Sequence, residues 1–435
     1  MPGSLDARET GSGSGDRPAP EDRSLPDGGP GSGDRRGGFP LGAAVTMDEL
    51  DGELHLLLRR LRDHEPVSWL PVLGGWLVTR RDLALQVLRD TQAFTVDDPR
   101  FSTARVVGPS MLSLDGAEHK RHRDPFAEAF RLAEVQARLE EFVEAQAGRL
   151  VAGFAAAGQA ELRRSLAGPL AVAVVAEVLG LGEADPAEIL SWYDSIVAAV
   201  SALAGESGQG ESAPGSGRGV EVRGSEAFGM LRESLEGVIT RAAGGSLLAA
   251  AAGAGGLRSG EVVSNAAVLM FGGIETTEGM ICNAVLHLLA HPVQLRAVMA
   301  DERLVAGVVE ESLRLEPAAA VVDRYATADI LLGAARIQRG DLVTVSLSGA
   351  GRDPAFFPDP DRFDVRRENA RQNLAFAHGP HFCLGAHLAR AEARAAILAL
   401  LRRLPALRLD PTHPAAPRGV VFRKPPALRV LWDAP

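Results

Sequence analysis

From Met47 onward the apolar residues settle into a helical rhythm, with Leu50, Leu54, Leu57, Leu58 and Leu61 recurring on one face. Two short β-favouring runs follow, Val67 to Val72 and Trp76 to Thr79. The Gly74-Gly75 step between them reads as the turn of a hairpin. Asp82 to Arg89 reads as a helix. From residue 117 most of the chain carries helical periodicity punctuated by Gly and Pro. Strand-like pieces return late, at Ile330 to Leu332, Leu342 to Leu347 and Ala427 to Leu431. The pattern predicts a mainly α protein with a small β part (an α+β class), its sheet drawn from both ends of the chain.

Two stretches break the rhythm. Residues 1–42 are dominated by Gly, Pro, Ser, Asp and Arg, too poor in large apolar groups to offset the entropy of ordering, and are expected to be a disordered tail. Residues 43–435 then form one domain. Within it, residues 205–219 are rich in Gly, Ser and Glu and are expected to be a mobile loop.

Composition narrows the function. A net charge of −10 argues against a nucleic-acid footprint. The two cysteines, Cys282 and Cys383, build neither a disulfide framework nor a zinc cluster, which fits a reducing cytoplasm. No membrane span is visible: the most apolar run, Leu166 to Leu181, holds Pro169 and Glu177 and is too short. The N-terminus shows no secretory signal.

The chemistry concentrates in two places. In Phe376-Ala-His-Gly379-Pro-His381-Phe-Cys383-Leu-Gly385 a cysteine lies between glycines and opens a helical pattern from Ala386 to Leu404. The helix dipole and free N–H groups are expected to lower the thiol pKa. A haem iron held by one thiolate fits this arrangement; a buried structural cysteine is the plain alternative. Further back, Glu261 to His291 is a long apolar helix containing Gly272-Gly273-Ile274-Glu275-Thr276. Paired glycines weaken a helix, so they imply a bulky group lying against its backbone. The Thr276 hydroxyl can reach back to the Gly272 carbonyl, and Glu275 beside it supplies a proton route. Cys282, two turns on, is assigned to packing.

The cysteine loop resembles the haem-binding loop of the cytochrome P-450 superfamily, matching at Phe376, Gly379, His381, Cys383 and Gly385, with Ala377 where many members have Gly. The second segment resembles that family's oxygen-activating helix, with Glu275 as acid and Thr276 as alcohol. Glu311-Ser-Leu-Arg314 resembles its Glu-x-x-Arg pair, with Arg362 the expected third member of a structural network. Gly351-Arg352-Asp353-Pro354 resembles its Asn-Arg-Asp-Pro element. The four motifs occur in the family's order and the resemblance spans about residues 47 to 435.

The resemblance implies a triangular helical body around one haem b (iron protoporphyrin IX), with Cys383 as iron ligand. It implies insertion of one oxygen atom from dioxygen into an organic substrate. Gly272 and Gly273 would lie along the haem, and His119, Arg123, Arg324 and His381 would hold its propionates. Residues 205–219 would fall between the lid helices. The substrate pocket would take Ala319, Ala320, Val321, Val322, Val421 and Phe422, which implies a hydrophobic small molecule, by analogy a natural-product intermediate. Electrons would come from a ferredoxin and ferredoxin reductase, with Arg121, Arg390 and Arg394 as docking points on a cytoplasmic, monomeric enzyme free of nucleic acid and membrane. A coupling or peroxide-driven oxidation, and a non-catalytic haem sensor, are the alternatives.

Overall fold

The computed structural model describes residues 38–181, 189–194, 226, 228–237 and 247–433; the 205–219 loop lies outside them. Packing starts earlier than the periodicity predicts. Phe39 meets Trp76 edge-on at 5.1 Å and Gly42 is buried in the short helix α1 (Pro40–Ala43), so residues 38–42 belong with the domain rather than with a tail. A capping box, Thr46 with Glu49, then opens α2 (Met47–Asp51). Gly52 separates it from α3 (Leu54–His64), whose buried face is Leu54, Leu57, Leu58 and Leu61.

The expected hairpin forms as β1 (Val67–Leu70) against β2 (Gly75–Val78), with Gly74 left-handed in the turn. After α4 (Arg81–Arg89) and β3 (Phe94–Thr95) the body is helical: α5 (Ser102–Val107), α6 (Gly116–Ala127), α7 (Leu132–Arg138) and α8 (Glu140–Phe154). Next come β4 (Gln159–Glu161), α9 (Gly168–Leu179), α10 (Leu247–Gly253), α11 (Ser259–Ala290), α12 (Pro292–Ala300) and α13 (Val305–Leu315). Strands β5 (Val321–Ala326), β6 (Ile330–Leu332), β7 (Ala335–Ile337) and β8 (Leu342–Ser346) precede α14 (Leu347–Gly351), α15 (Ala386–Arg403), β9 (Arg408–Leu409) and β10 (Arg429–Leu431).

As expected, the two ends of the chain share a sheet. β2 pairs parallel with β8, giving the order β1-β2-β8-β5-β3. A second sheet sets β10 between β4 and β9. Helix α11, 32 residues long, runs through the body between two apolar cores. Its first half, Val262 to Ile274, packs with Phe126 of α6, Val172 and Val175 of α9, and Trp192 and Tyr193 of segment 189–194. Its second half, from Met280, packs with Val143 and Val151 of α8, Val308 and Val309 of α13, and Ala396 and Ile397 of α15. The Gly-Gly-Ile-Glu-Thr stretch falls where one core gives way to the other, and there a cavity opens. Among the described residues no helix is long and apolar enough to cross a membrane.

Candidate active site

The cavity has a volume of about 790 Å³ and is bordered by Gly272, Gly273, Glu275 and Thr276 from α11, and by Phe376, His381, Cys383 and Gly385 from the loop before α15. The two glycines divide their work. A side chain on Gly272 would meet nothing within 4 Å, so its absence keeps the cavity open. One on Gly273 would strike Val175 at 2.7 Å, so that glycine serves the α9–α11 contact. Thr276 Oγ1 donates to the Gly272 carbonyl at 2.6 Å, the back-bond expected from the spacing.

Glu275 is buried and held from two sides that the sequence reading missed. The Tyr193 hydroxyl donates to Oε2, and Lys424 Nζ lies 2.7 Å from Oε1. Lys424 also lies 2.8 Å from Glu278, which a second cation, Arg163, contacts. Glu275 and Glu278 stand three apart on one helix face. Two buried acids so placed call for a cation, which is the signal that could have found Lys424.

The cysteine loop is closed by backbone bonds, Phe382 N–H to the Gly379 carbonyl at 3.0 Å and Cys383 N–H to the Phe376 carbonyl at 2.9 Å. Gly379 has positive φ, and a side chain there would lie 2.5 Å from the Leu88 carbonyl. Ala377 also sits at φ +57°, in the left-handed region that favours glycine. Its replacement A377G is expected to stabilise the protein by about 0.5–1 kcal/mol, the relief of Cβ strain less the entropy cost of glycine. The shift of a denaturant unfolding midpoint at constant slope measures it.

The thiol corrects one expectation. Burial pushes the Cys383 pKa up; the Gly385 N–H, Arg123 and Arg390 pull it down but do not prevail. A bound metal cation is what makes such a thiol a thiolate. The second cysteine, Cys282, is fully buried in apolar packing, as assigned.

The expected propionate partners separate into two groups. His119 is buried, its Nε2 has no partner among the described residues, and burial lowers its pKa to about 4. Arg324 is buried and makes no ion pair among the described residues, donating only to the Asp323 carbonyl at 2.7 Å. Neither forms an ion pair with a carboxylate among the described residues. Arg123 instead donates to the Phe382 carbonyl at 2.6 Å, and His381 pairs with Asp115 at 2.7 Å while its ring lies tilted against that of His119, centroids 4.3 Å apart.

The structural network is buried and differs from expectation in one member. Arg314 makes a bidentate pair with Glu311, at 2.7 and 2.8 Å, with both side chains fully enclosed. The arginine that joins them is Arg367, whose Nε reaches Glu311 at 2.9 Å and whose side chain is 9% exposed. Arg362 is 64% exposed and, among the described residues, pairs with Asp364 alone, at 3.5 Å. Its carbonyl, not its guanidinium, faces the network, accepting from Arg314 and Arg367.

Of the expected pocket residues, Ala319, Val321, Val322, Val421 and Phe422 border the cavity; Ala320 is fully buried and does not. A bridge between Ala319 and Phe422 holds the two segments together. Of the expected docking arginines, two are committed elsewhere: Arg121 is bound to Glu118 and Glu261, and Arg390 to Glu310. Arg394 is 43% exposed, 3.6 Å from Glu140.

The cytochrome P-450 family model matches residues 240–430. The monooxygenase PikC of Streptomyces venezuelae is 37% identical over 388 residues, spanning 86% of this chain and 89% of its own. The chain belongs to the cytochrome P-450 family. The mycinamicin IV hydroxylase/epoxidase of Micromonospora griseorubida is 32% identical over 86% of this chain and 94% of its own. The crystal structure of CalO2 superposes with a TM-score of 0.79 at 30% identity, over 89% of this chain and 99% of that one. This P-450 is therefore an enzyme of the monooxygenase class, with relatives among bacterial secondary-metabolite oxidases, and its cofactor is a haem. Its residues fit that group: a cavity-facing sulfur, an open face at Gly272, and a buried imidazole and guanidinium with no ion-paired carboxylate among the described residues.

Proposed function

We propose that this P-450 inserts one atom of dioxygen into a hydrophobic natural-product intermediate, by hydroxylation or epoxidation, using haem b and electrons from a ferredoxin and its reductase. Cys383 would ligate the iron, and His119 and Arg324 would hold the propionates. Bound haem supplies the reductive activation of dioxygen. The chain supplies a shaped, apolar space and a path for protons.

One observation carries this reading: the Thr276 hydroxyl, turned back on the Gly272 carbonyl, and the ion-paired Glu275 border the same cavity as Cys383. Lys424 spans Glu275 and Glu278, and Glu278 in turn contacts the partly exposed Arg163. This chain of charged groups leads from the protein's outer layer to the cavity wall. Glu275 sits at its inner end, where it can carry a proton to the Thr276 hydroxyl. A peroxide-driven enzyme or a haem sensor has no use for that path, and the intact pair counts against both.

E275Q removes the titratable oxygen but keeps the shape. It is expected to lower coupled turnover about 10²-fold, in line with the loss of one general acid. T276A is expected to leave dioxygen consumption running while product per dioxygen falls. The check is the ratio of product formed to dioxygen consumed with a ferredoxin system. An unchanged ratio in both variants would overturn the proton route through Glu275 and Thr276.

A further inference from the structure

Among the described residues three carboxylates border the cavity: Glu275, Glu392 and Asp323. Glu275 is committed to Lys424 and Tyr193. Glu392, buried on α15, is pushed well above its usual range by burial and makes no ion pair among the described residues. Asp323 is different. It stands on β5, where alternation sets Val321, Asp323 and Tyr325 on one face and Val322 and Arg324 on the other. Across the ladder it is paired in register with Thr344 of β8, and Thr344 Oγ1 donates to Asp323 Oδ1 at 2.7 Å. Its second oxygen, Oδ2, accepts nothing from the described residues.

The space around this carboxylate is apolar. Leu58 of α3, Leu77 of β2 and Leu342 of β8 border the same cavity. Asp323 is half-buried, its carboxylate part of this apolar wall, where a cation is the partner that offsets its loss of water. Burial accordingly pushes the Asp323 pKa up, against the pull of Thr344 and Arg324.

Neither arginine bordering the cavity nearby is free to neutralise it. Arg100 is held by Asp98 at 2.8 Å and lies over the Tyr325 ring at 4.4 Å. Arg324 belongs to the other face of β5, and the haem reading commits its charge to a propionate.

We propose that Asp323, braced by Thr344, is a recognition point for a protonated amine carried by the hydrophobic substrate, with Oδ2 as the acceptor of its N–H. The inference rests on the P-450 reading and names a substrate class within it: a molecule with an apolar body that fills the cavity and a basic nitrogen some distance from the carbon that is oxidised.

The experiment uses the purified haem-loaded protein and calorimetric titration, below micellar concentration, of three probes of one chain length: N,N-dimethyldodecylamine, 1-dodecanol and dodecanoate. The wild type is expected to bind the amine at least about tenfold more tightly than the alcohol, as for one hydrogen bond to a charged group, and dodecanoate most weakly. D323N keeps the shape and the Thr344 contact and is expected to erase the amine's advantage while leaving dodecanol binding unchanged. T344V keeps the carboxylate and should retain most of the preference for the amine. Equal affinity for amine and alcohol in the wild type, or an unchanged ratio in D323N, would overturn the proposal. The thiolate-haem spectrum of each reduced sample under carbon monoxide separates this failure from failure of the P-450 reading. D323N should keep that spectrum, whereas its absence from the wild type would count against the haem reading itself.

Discussion

C383S is expected to lose both turnover and the thiolate-haem band of the reduced, carbon monoxide-treated protein. Serine is nearly the shape of cysteine, so the loop between Phe376 and Gly385 should still close through its two backbone hydrogen bonds, neither of which uses the sulfur. What is lost is a soft anionic donor. Cys383 borders the cavity in an enclosed position whose burial favours the neutral thiol, and a metal cation is the group able to overturn that preference. A serine hydroxyl, a much weaker acid than a thiol, cannot be ionised by the same means. Any haem retained by C383S should show the spectrum of a ligand other than thiolate. Persistence of both the band and the activity would refute the assignment of Cys383 as the iron ligand.

What the sequence made legible was local. The back-bond of Thr276 was readable from helix spacing, because the carbonyl one turn before its hydroxyl is that of Gly272. The hairpin at Gly74-Gly75 and the three late strands were readable from alternation and turn residues. Ala377 marked itself by standing where the family resemblance expects glycine, and its φ of +57° gives the physical reason. What stayed hidden depends on contacts across long stretches of chain. Tyr193 and Lys424 reach Glu275 from segments 82 residues before it and 149 after it, and no local pattern fixes such a meeting. Asp115, which takes His381 for itself, lies 266 residues away from it. The polarity of the thiol was misjudged for the same reason. The helix dipole is visible in sequence, but the depth of burial that outweighs it is not.

The choice between Arg362 and Arg367 is the sharpest case, and it yields the largest expected effect on stability. Both arginines follow the Phe357-Pro-Asp-Pro360 turn, and spacing alone favours neither. The fold decides by turning the Arg362 side chain outward while its carbonyl accepts from Arg314 and Arg367. R362A therefore keeps every bond that this residue gives to the network. It is expected to cost no more than about 0.5–1 kcal/mol, the ordinary range for an exposed ion pair. R367A removes a guanidinium that contacts Glu311 and the carbonyls of Pro358, Asp359 and Arg362. It leaves a fully enclosed carboxylate with Arg314 as its remaining ion-pair partner, and should cost about 3 kcal/mol, the lower end for breaking a buried pair. R314A, which strips the other partner and a set of bonds to Gly351 and Pro360, should cost at least as much. Chemical unfolding of the haem-loaded variants, read alongside the fraction of protein retaining haem, checks the ranking. If R362A were as damaging as R367A, the exposed arginine would have to be the network's true third member, and the arrangement described around Glu311 would be wrong.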